Sequence, residues 1–180
     1  MKSLKRKSCA FTGHRPHKFP WRYDETDERC MKLKDAIMEQ IKYLIKLGVT
    51  DFLSGMAEGT DQWAAQAVLA LREHNPSLKL HCILPCKGQA DKWSPAAREQ
   101  YFSILEQADS IVYVSRSYHK GCMLKRNRFM AEHASFLLAV YNGESRGGTA
   151  ATVRYAGKLG LEQILLTPEN GAVTYEGSSS

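Results

Sequence analysis

Two turns in the chain carry the residue types of a phosphate cradle. Ser54-Gly55-Met56-Ala57-Glu58-Gly59-Thr60-Asp61 follows a short apolar run and leads into an alanine-rich stretch of helical composition. Gly147-Gly148-Thr149 follows a second apolar run, residues 136–141. A small-residue turn that opens a helix leaves backbone N–H groups unpaired at the positive end of the helix dipole, where phosphates bind. Of the two, Gly147-Gly148-Thr149 is the better phosphate site, because no acid stands in the turn. Glu58 and Asp61 suit the sugar side of the same ligand, by accepting a hydroxyl. They are also the two candidates for a general base. An exposed loop glutamate is the commoner fate of Glu58, and capping of the next helix by Thr60 or Asp61 is as good a use for Asp61.

A third segment, Thr12-Gly13-His14-Arg15-Pro16, adds Gly13, which permits close backbone approach, and Arg15, which can pair bidentately with a phosphate. His14 alone is no evidence for a catalytic base. Phe19, Trp21 and Tyr23 then form either a lid that stacks a base or a cover over one end of the core. Lys87, Lys92 and Trp93 read more simply as an exposed loop and one core aromatic. In Lys125-Arg126-Asn127-Arg128, helical spacing with Met123, Met130 and Ala134 turns Asn127 toward the interior, as a tie between loop and helix. Arg126 and Arg128 either reach the ligand edge or form a solvated stripe.

Alternating apolar runs and helical patterns must position these groups. Strands are predicted at residues 8–12, 50–54, 78–84, 110–114, 136–141 and 163–167. Between them, Leu33, Ile37, Ile41 and Leu44 recur at helical spacing up to Gly48, and Ser94-Pro95 is a strong helix opening. Helices are also expected at about 60–74, 120–134 and 149–159. Six strands with helical crossovers make a three-layer α/β/α domain, its sheet mostly parallel. Right-handed crossovers then bring residues 13–27, 55–61, 85–94, 115–121 and 142–149 to one edge of the sheet. One domain spans residues 1–176, followed by a disordered tail at 177–180.

Composition narrows the partners. The net charge is +6, but Lys2, Lys5, Arg6 and Lys7 supply four of those charges, so the body is only mildly basic. A solvated basic arm is favoured over a nucleic-acid grip. The five cysteines are irregularly spaced and mostly inside apolar segments, which suits reduced thiols in a cytosol and neither a disulfide framework nor a metal site. No apolar run approaches the roughly 20 residues of a membrane span. The basic start leads into a strand-like run rather than a signal-peptide core, so secretion is not expected. A homo-oligomer stays open.

Taken in order, these segments resemble the YpsA-like family of the SLOG group of Rossmann-like proteins. The matching pieces are Phe11-Thr12-Gly13-His14-Arg15-Pro16, Ser54-Gly55-Met56-Ala57 with Gly59 and Asp61, Leu84-Pro85-Cys86, Arg126-Asn127-Arg128-Phe129-Met130, and Leu138-Ala139-Val140-Tyr141-Asn142-Gly143 before Gly147-Gly148-Thr149. The Ser-Gly-Met-Ala segment is also similar to the Rossmann domain of the DNA-processing protein A (Smf) family, which handles single-stranded DNA. The resemblance implies a Rossmann-like fold, expected in the strand order 3-2-1-4-5-6, and a nucleotide or nucleotide-derived ligand such as ADP-ribose or NAD. The expected contacts are Gly13, His14, Arg15, Ser54, Gly55, Glu58, Asp61, Arg126, Asn127, Gly147, Gly148 and Thr149. The resemblance implies no reaction. The related cytokinin-activating phosphoribohydrolases place a catalytic glutamate after a Pro-Gly-Gly-x-Gly-Thr loop, whereas this chain has Arg146 before its glycines and Thr152-Val153 where acids would stand. Binding is therefore expected ahead of two alternatives, a nucleotide or N-glycoside hydrolase using Glu58 or Asp61, and a single-stranded nucleic-acid-binding protein.

Overall fold

A computed structural model describes residues 8–177. The basic arm at 1–7 and all but the first residue of the expected tail lie outside the described residues. The chain runs β1 (Ser8–Gly13), α1 (Glu28–Lys46), β2 (Asp51–Ser54), α2 (Thr60–Arg72), β3 (Lys79–Leu84), α3 (Pro95–Gln107), β4 (Ser110–Tyr113), α4 (Cys122–Glu132), β5 (Phe136–Val140), α5 (Gly148–Lys158), β6 (Glu162–Leu166) and β7 (Val173–Glu176).

Local chemistry accounts for the helices. The Asp27 carboxylate accepts the Arg29 N–H at 2.9 Å and opens α1, whose Cys30, Leu33, Ile37, Ile41 and Leu44 form one buried stripe. Burial of each such leucine or isoleucine is worth about 1.5–3 kcal/mol. Ser94 caps α3 by accepting the Ala97 N–H at 3.3 Å, with Pro95 in the first turn. Alternation along the strands then splits the core. Phe11, Phe52 and Leu80 face α1, α2 and α3, while Ala10, Leu53 and Ile83 face α4 and α5. The result is the three-layer α/β/α class read from the sequence.

The expected strand order and count need correction. The sheet has seven strands in the order β4-β3-β2-β1-β5-β6-β7, all parallel except β7, which runs antiparallel to β6. The fourth strand is an outer edge, not the neighbour of the first. Only four residues long, it leaves Ile111 and Tyr113 exposed, whereas Leu137 to Val140 in β5 are buried and claim the place beside β1. β7 follows a turn closed by Thr167 N–H donating to Ala172 O at 2.9 Å, and its residues are largely exposed. It therefore lacks an apolar run by which to be read.

This order sets the place of the site. From β1 the chain winds outward to β4 and then returns to the other side of β1 at β5. The loops leaving β1 and β5 part company there and open a crevice at the carboxyl edge. The opposite edge carries a structural pin across β2, β3 and β4. His81 Nε2 lies 2.7 Å from Asp51 Oδ1, His81 Nδ1 lies 2.6 Å from Ser110 Oγ, and Thr50 Oγ1 donates to Asp51 Oδ2 at 2.8 Å. His81→Ala removes one of the two side-chain partners of a buried carboxylate, which costs on the order of 1–3 kcal/mol. Chemical denaturation of the variant is expected to show a loss in that range, and unchanged stability would refute the role of pin.

Candidate anion-binding site

The crevice between β1 and β5 is a cleft of about 250 Å³. Its first wall is the β1–α1 loop. The His14 carbonyl accepts the Thr60 hydroxyl at 3.1 Å, and the His14 N–H donates to Val140 O at 3.3 Å, which ties the loop to both neighbouring elements. A single turn at Pro16–Lys18 then brings Arg15, His17 and Lys18 to the cleft. Lys18 Nζ donates to Glu144 Oε2 at 3.0 Å, joining this wall to the β5–α5 loop. His14 is 6% exposed, and its Nε2, closed to solvent, makes no hydrogen bond of standard geometry among the described residues. Burial holds its pKa below the ordinary value.

The floor is built by the β2–α2 turn and α4. Ser54 Oγ donates to Asp61 O at 2.8 Å and accepts the Met56 N–H at 3.2 Å. Met56 is fully buried with φ +62°, a conformation costly for a non-glycine residue. The Asp61 carboxylate accepts the Ala57 N–H at 3.2 Å, so it braces the turn; α2 is capped at Gly59 with no side-chain bond from Thr60 or Asp61. Arg126, 3% exposed, donates to the Gly55 carbonyl and, through Nε, to Asn127 Oδ1 at 2.8 Å. Burial raises the pKa of Asp61 and lowers that of Arg126, and the attraction between the two opposes both shifts.

The glycines of the first two loops serve this packing. A Cβ on Gly13 would stand 2.5 Å from the Thr60 methyl, and one on Gly55 would strike the Arg126 guanidinium, 2.8 Å from Nε. Gly13 and Gly55 thus admit neighbouring side chains. In the third wall Gly147 caps α5 at φ +100°, and a Cβ on Gly148 would meet nothing within 4 Å. The first-turn amides of α5 open onto the cleft there, with Arg146 beside them.

Nine of the expected contacts therefore line one cleft: Gly13, His14 and Arg15 from the first wall, Asp61, Arg126 and Asn127 at the floor, and Gly147, Gly148 and Thr149 from the third wall. Ser54 and Gly55 stand behind it as scaffold, and Glu58 lies outside its lining. Burial raises the Glu58 pKa, against the nearby Arg15. Thr12, His17, Lys18, Ala57, Met123 and Arg146 join the lining without having been read from the sequence as contacts. Two of them had a signal: Lys18 is one turn beyond Arg15, and Arg146 directly precedes the glycines.

Two expectations change, and one open alternative is decided. On α4 the buried line is Cys122, Arg126 and Met130, so Arg126 occupies the interior position assigned to Asn127, which is half-buried. Phe19 stacks on Trp21 at 4.8 Å and on Trp63 at 5.5 Å, all three buried, so Phe19 and Trp21 cover the core and are no lid. Segments 85–94 and 115–121 follow β3 and β4, away from β1 and β5, and contribute no lining to the cleft. Among the described residues no cluster of His, Cys, Asp or Glu is placed to hold a metal ion. No described helix is long and apolar enough to cross a membrane.

Residues 9–164 match the model of a family described as the YspA SLOG family. A UPF0398 protein of Bacillus velezensis is 31% identical over 156 residues, 84% of each chain. The uncharacterized SPbeta prophage-derived protein YoqJ of Bacillus subtilis is 33% identical over 154 residues, 77% of this chain and 90% of YoqJ. Among solved structures, DNA processing protein A (DprA) of Streptococcus pneumoniae superposes with a TM-score of 0.54 at 16% identity, over 89% of this chain and 50% of that one. The Helicobacter pylori protein, described by its single-stranded DNA binding mode, gives 0.58 at 18% identity, over 88% and 64%. The chain thus spans less than two thirds of either DprA, and the likeness is one of fold.

Proposed function

The chain belongs to the YspA SLOG family, and on that premise we propose that its cleft binds the phosphate of a nucleotide or nucleotide-derived ligand, of the ADP-ribose or NAD kind, as a binding protein of the cytosol. The observation that carries this reading is the first turn of α5 opening, at Gly147 to Thr149, onto a cleft also lined by Arg15, Lys18 and Arg146. The α5 amides give an anion fixed donors at no cost of reorganisation. Arg15, Lys18 and Arg146 surround it with positive charge. Asp61, at the floor, accepts a sugar hydroxyl. As the carboxylate in the lining, Asp61 also takes precedence over Glu58 for any hydrolytic role.

Calorimetry with AMP, ADP-ribose and NAD tests the proposal. At least one is expected to bind with a Kd between about 1 μM and 1 mM, or roughly −8 to −4 kcal/mol. No heat from any of them would defeat it. A second reading, single-stranded nucleic acid on the same cleft, draws support from the fold shared with the DprA chains and from the basic, exposed Arg15 and Arg146. That reading demands a steep fall of affinity with added salt, as phosphate contacts release counterions. Oligothymidylate binding that ignores salt would remove it.

A further inference from the structure

We infer that two copies of this chain pair through their β4 strands, antiparallel, about a twofold axis at Val112, so that the two sheets become one. β4 is an outer strand, with β3 on one side and no strand on the other. Its ladder to β3 runs from the Asp109 N–H, donating to Leu80 O at 2.8 Å, to the Val114 N–H, donating to Leu84 O at 2.9 Å. Strand residues alternate in direction, so Val112 bonds to β3 with Val114, and the N–H and C=O groups of Ile111 and Tyr113 point outward. Such an edge is ordinarily blunted by a charge, a proline or a bulge. From Ser110 to Ser115 this one has no charge, proline or glycine. Ile111 and Tyr113 are 41% and 44% exposed, on the α3 side of the sheet with their neighbours Cys82 and Leu84. On α3 itself, Gln100, Ser103 and Gln107 face α2, which turns the exposed Phe102 to the flank beside this edge.

A second copy completes the edge because the edge is its own complement. A twofold axis normal to the sheet keeps the α3 sides of both copies together, so each residue pairs with one of the same face. With the axis at Val112, Ile111 of each copy stands opposite Tyr113 of the other. Both pairs exchange backbone hydrogen bonds, and their exposed side chains meet as apolar cross-strand neighbours. Charge agrees with this direction. The carboxyl end of the strand carries exposed Arg116 and Lys87, whose Nζ lies 5.9 Å from the Tyr113 ring centroid. Beside the amino end stand exposed Glu106 and Asp109. Asp109 Oδ2 accepts both the Arg72 guanidinium and the Leu80 N–H, and no bond holds Oδ1 among the described residues. Antiparallel pairing sets the basic end of each copy against the acidic end of the other, whereas parallel pairing would oppose like charges.

Sedimentation velocity of the whole chain tests the pairing. At tens of micromolar the parent is expected to be a dimer and Ile111→Lys a monomer with the parent's melting temperature, since position 111 is exposed. Val112→Cys tests the axis. At a non-hydrogen-bonded pair the two Cα atoms stand about 4.5 Å apart, within disulfide range. Mild oxidation is therefore expected to link two folded Val112→Cys chains, and to link Ile111→Cys far less. The five native cysteines are buried and do not compete. A monomeric parent, a dimer that survives Ile111→Lys, or linkage at position 111 in preference to 112 would each overturn the inference. None of these readouts involves the anion cleft, so either reading can fall alone.

Discussion

Arg126→Met is expected to destabilise the fold by about 1–3 kcal/mol, the range for leaving buried polar groups without their hydrogen-bond partner. The guanidinium is almost wholly enclosed and joins three elements, donating to Gly55 O on the β2–α2 turn and to Asn127 on its own helix, with Asp61 as its nearest opposing charge. Methionine fills similar volume without a donor. Gly55 O keeps only the Gln89 side-chain amide, at 3.2 Å, and the Asp61 carboxylate stays buried with its main counter-charge gone. If the pair is what matters, Asp61→Asn combined with Arg126→Met costs less than the single substitutions summed, because no charge is then stranded. Urea denaturation of the parent, both single variants and the double variant measures this. A loss below about 1 kcal/mol for Arg126→Met, or strict additivity, would show that Arg126 acts as ordinary packing.

Gly148→Asp is expected to abolish anion binding while leaving the fold intact. The added Cβ meets open space, and the residue sits in the first turn of α5, where an acid is favoured by the helix dipole by about 0.3–1 kcal/mol. The melting temperature should therefore hold or rise slightly. The new carboxylate occupies the place of the ligand's own charge. Two like charges about 4 Å apart repel by about 4 kcal/mol at an effective dielectric constant near 20, enough for a loss of at least about a hundredfold. Gly148→Ala separates charge from shape and should cost far less. Equal affinity in parent and Gly148→Asp would place the anion elsewhere.

The fold was legible where burial is continuous. β1, β3 and β5 are apolar runs, and the α1 stripe repeats at helical spacing, so the layers and the ligand edge followed directly. The order of the strands was less so, because a four-residue strand such as β4 looks alike at an edge or a centre until its exposed faces are seen. β7 was silent for the same reason. In the site, the glycine turn at 147–149 was readable because local geometry makes it. Arg126 was not: within Lys-Arg-Asn-Arg it looks solvated, and only its place midway between Cys122 and Met130, four residues from each, puts it on the buried line. Gly13 and Gly55 were recognisable as necessary, but the neighbours that fill their missing side chains, Thr60 and Arg126, are 47 and 71 residues away. Lys18 pairs with Glu144 across 126 residues.

The most direct measurement is the response of individual backbone amides and the His14 ring to AMP, followed by nitrogen-15 NMR of the whole chain. The expected result is a saturable shift of the Gly148 and Thr149 amides together with His14 Nε2, and quiet resonances at the His81 pin on the opposite edge. Shifts centred anywhere else, or Gly148, Thr149 and His14 unmoved at millimolar AMP, would contradict a phosphate site at the mouth of α5.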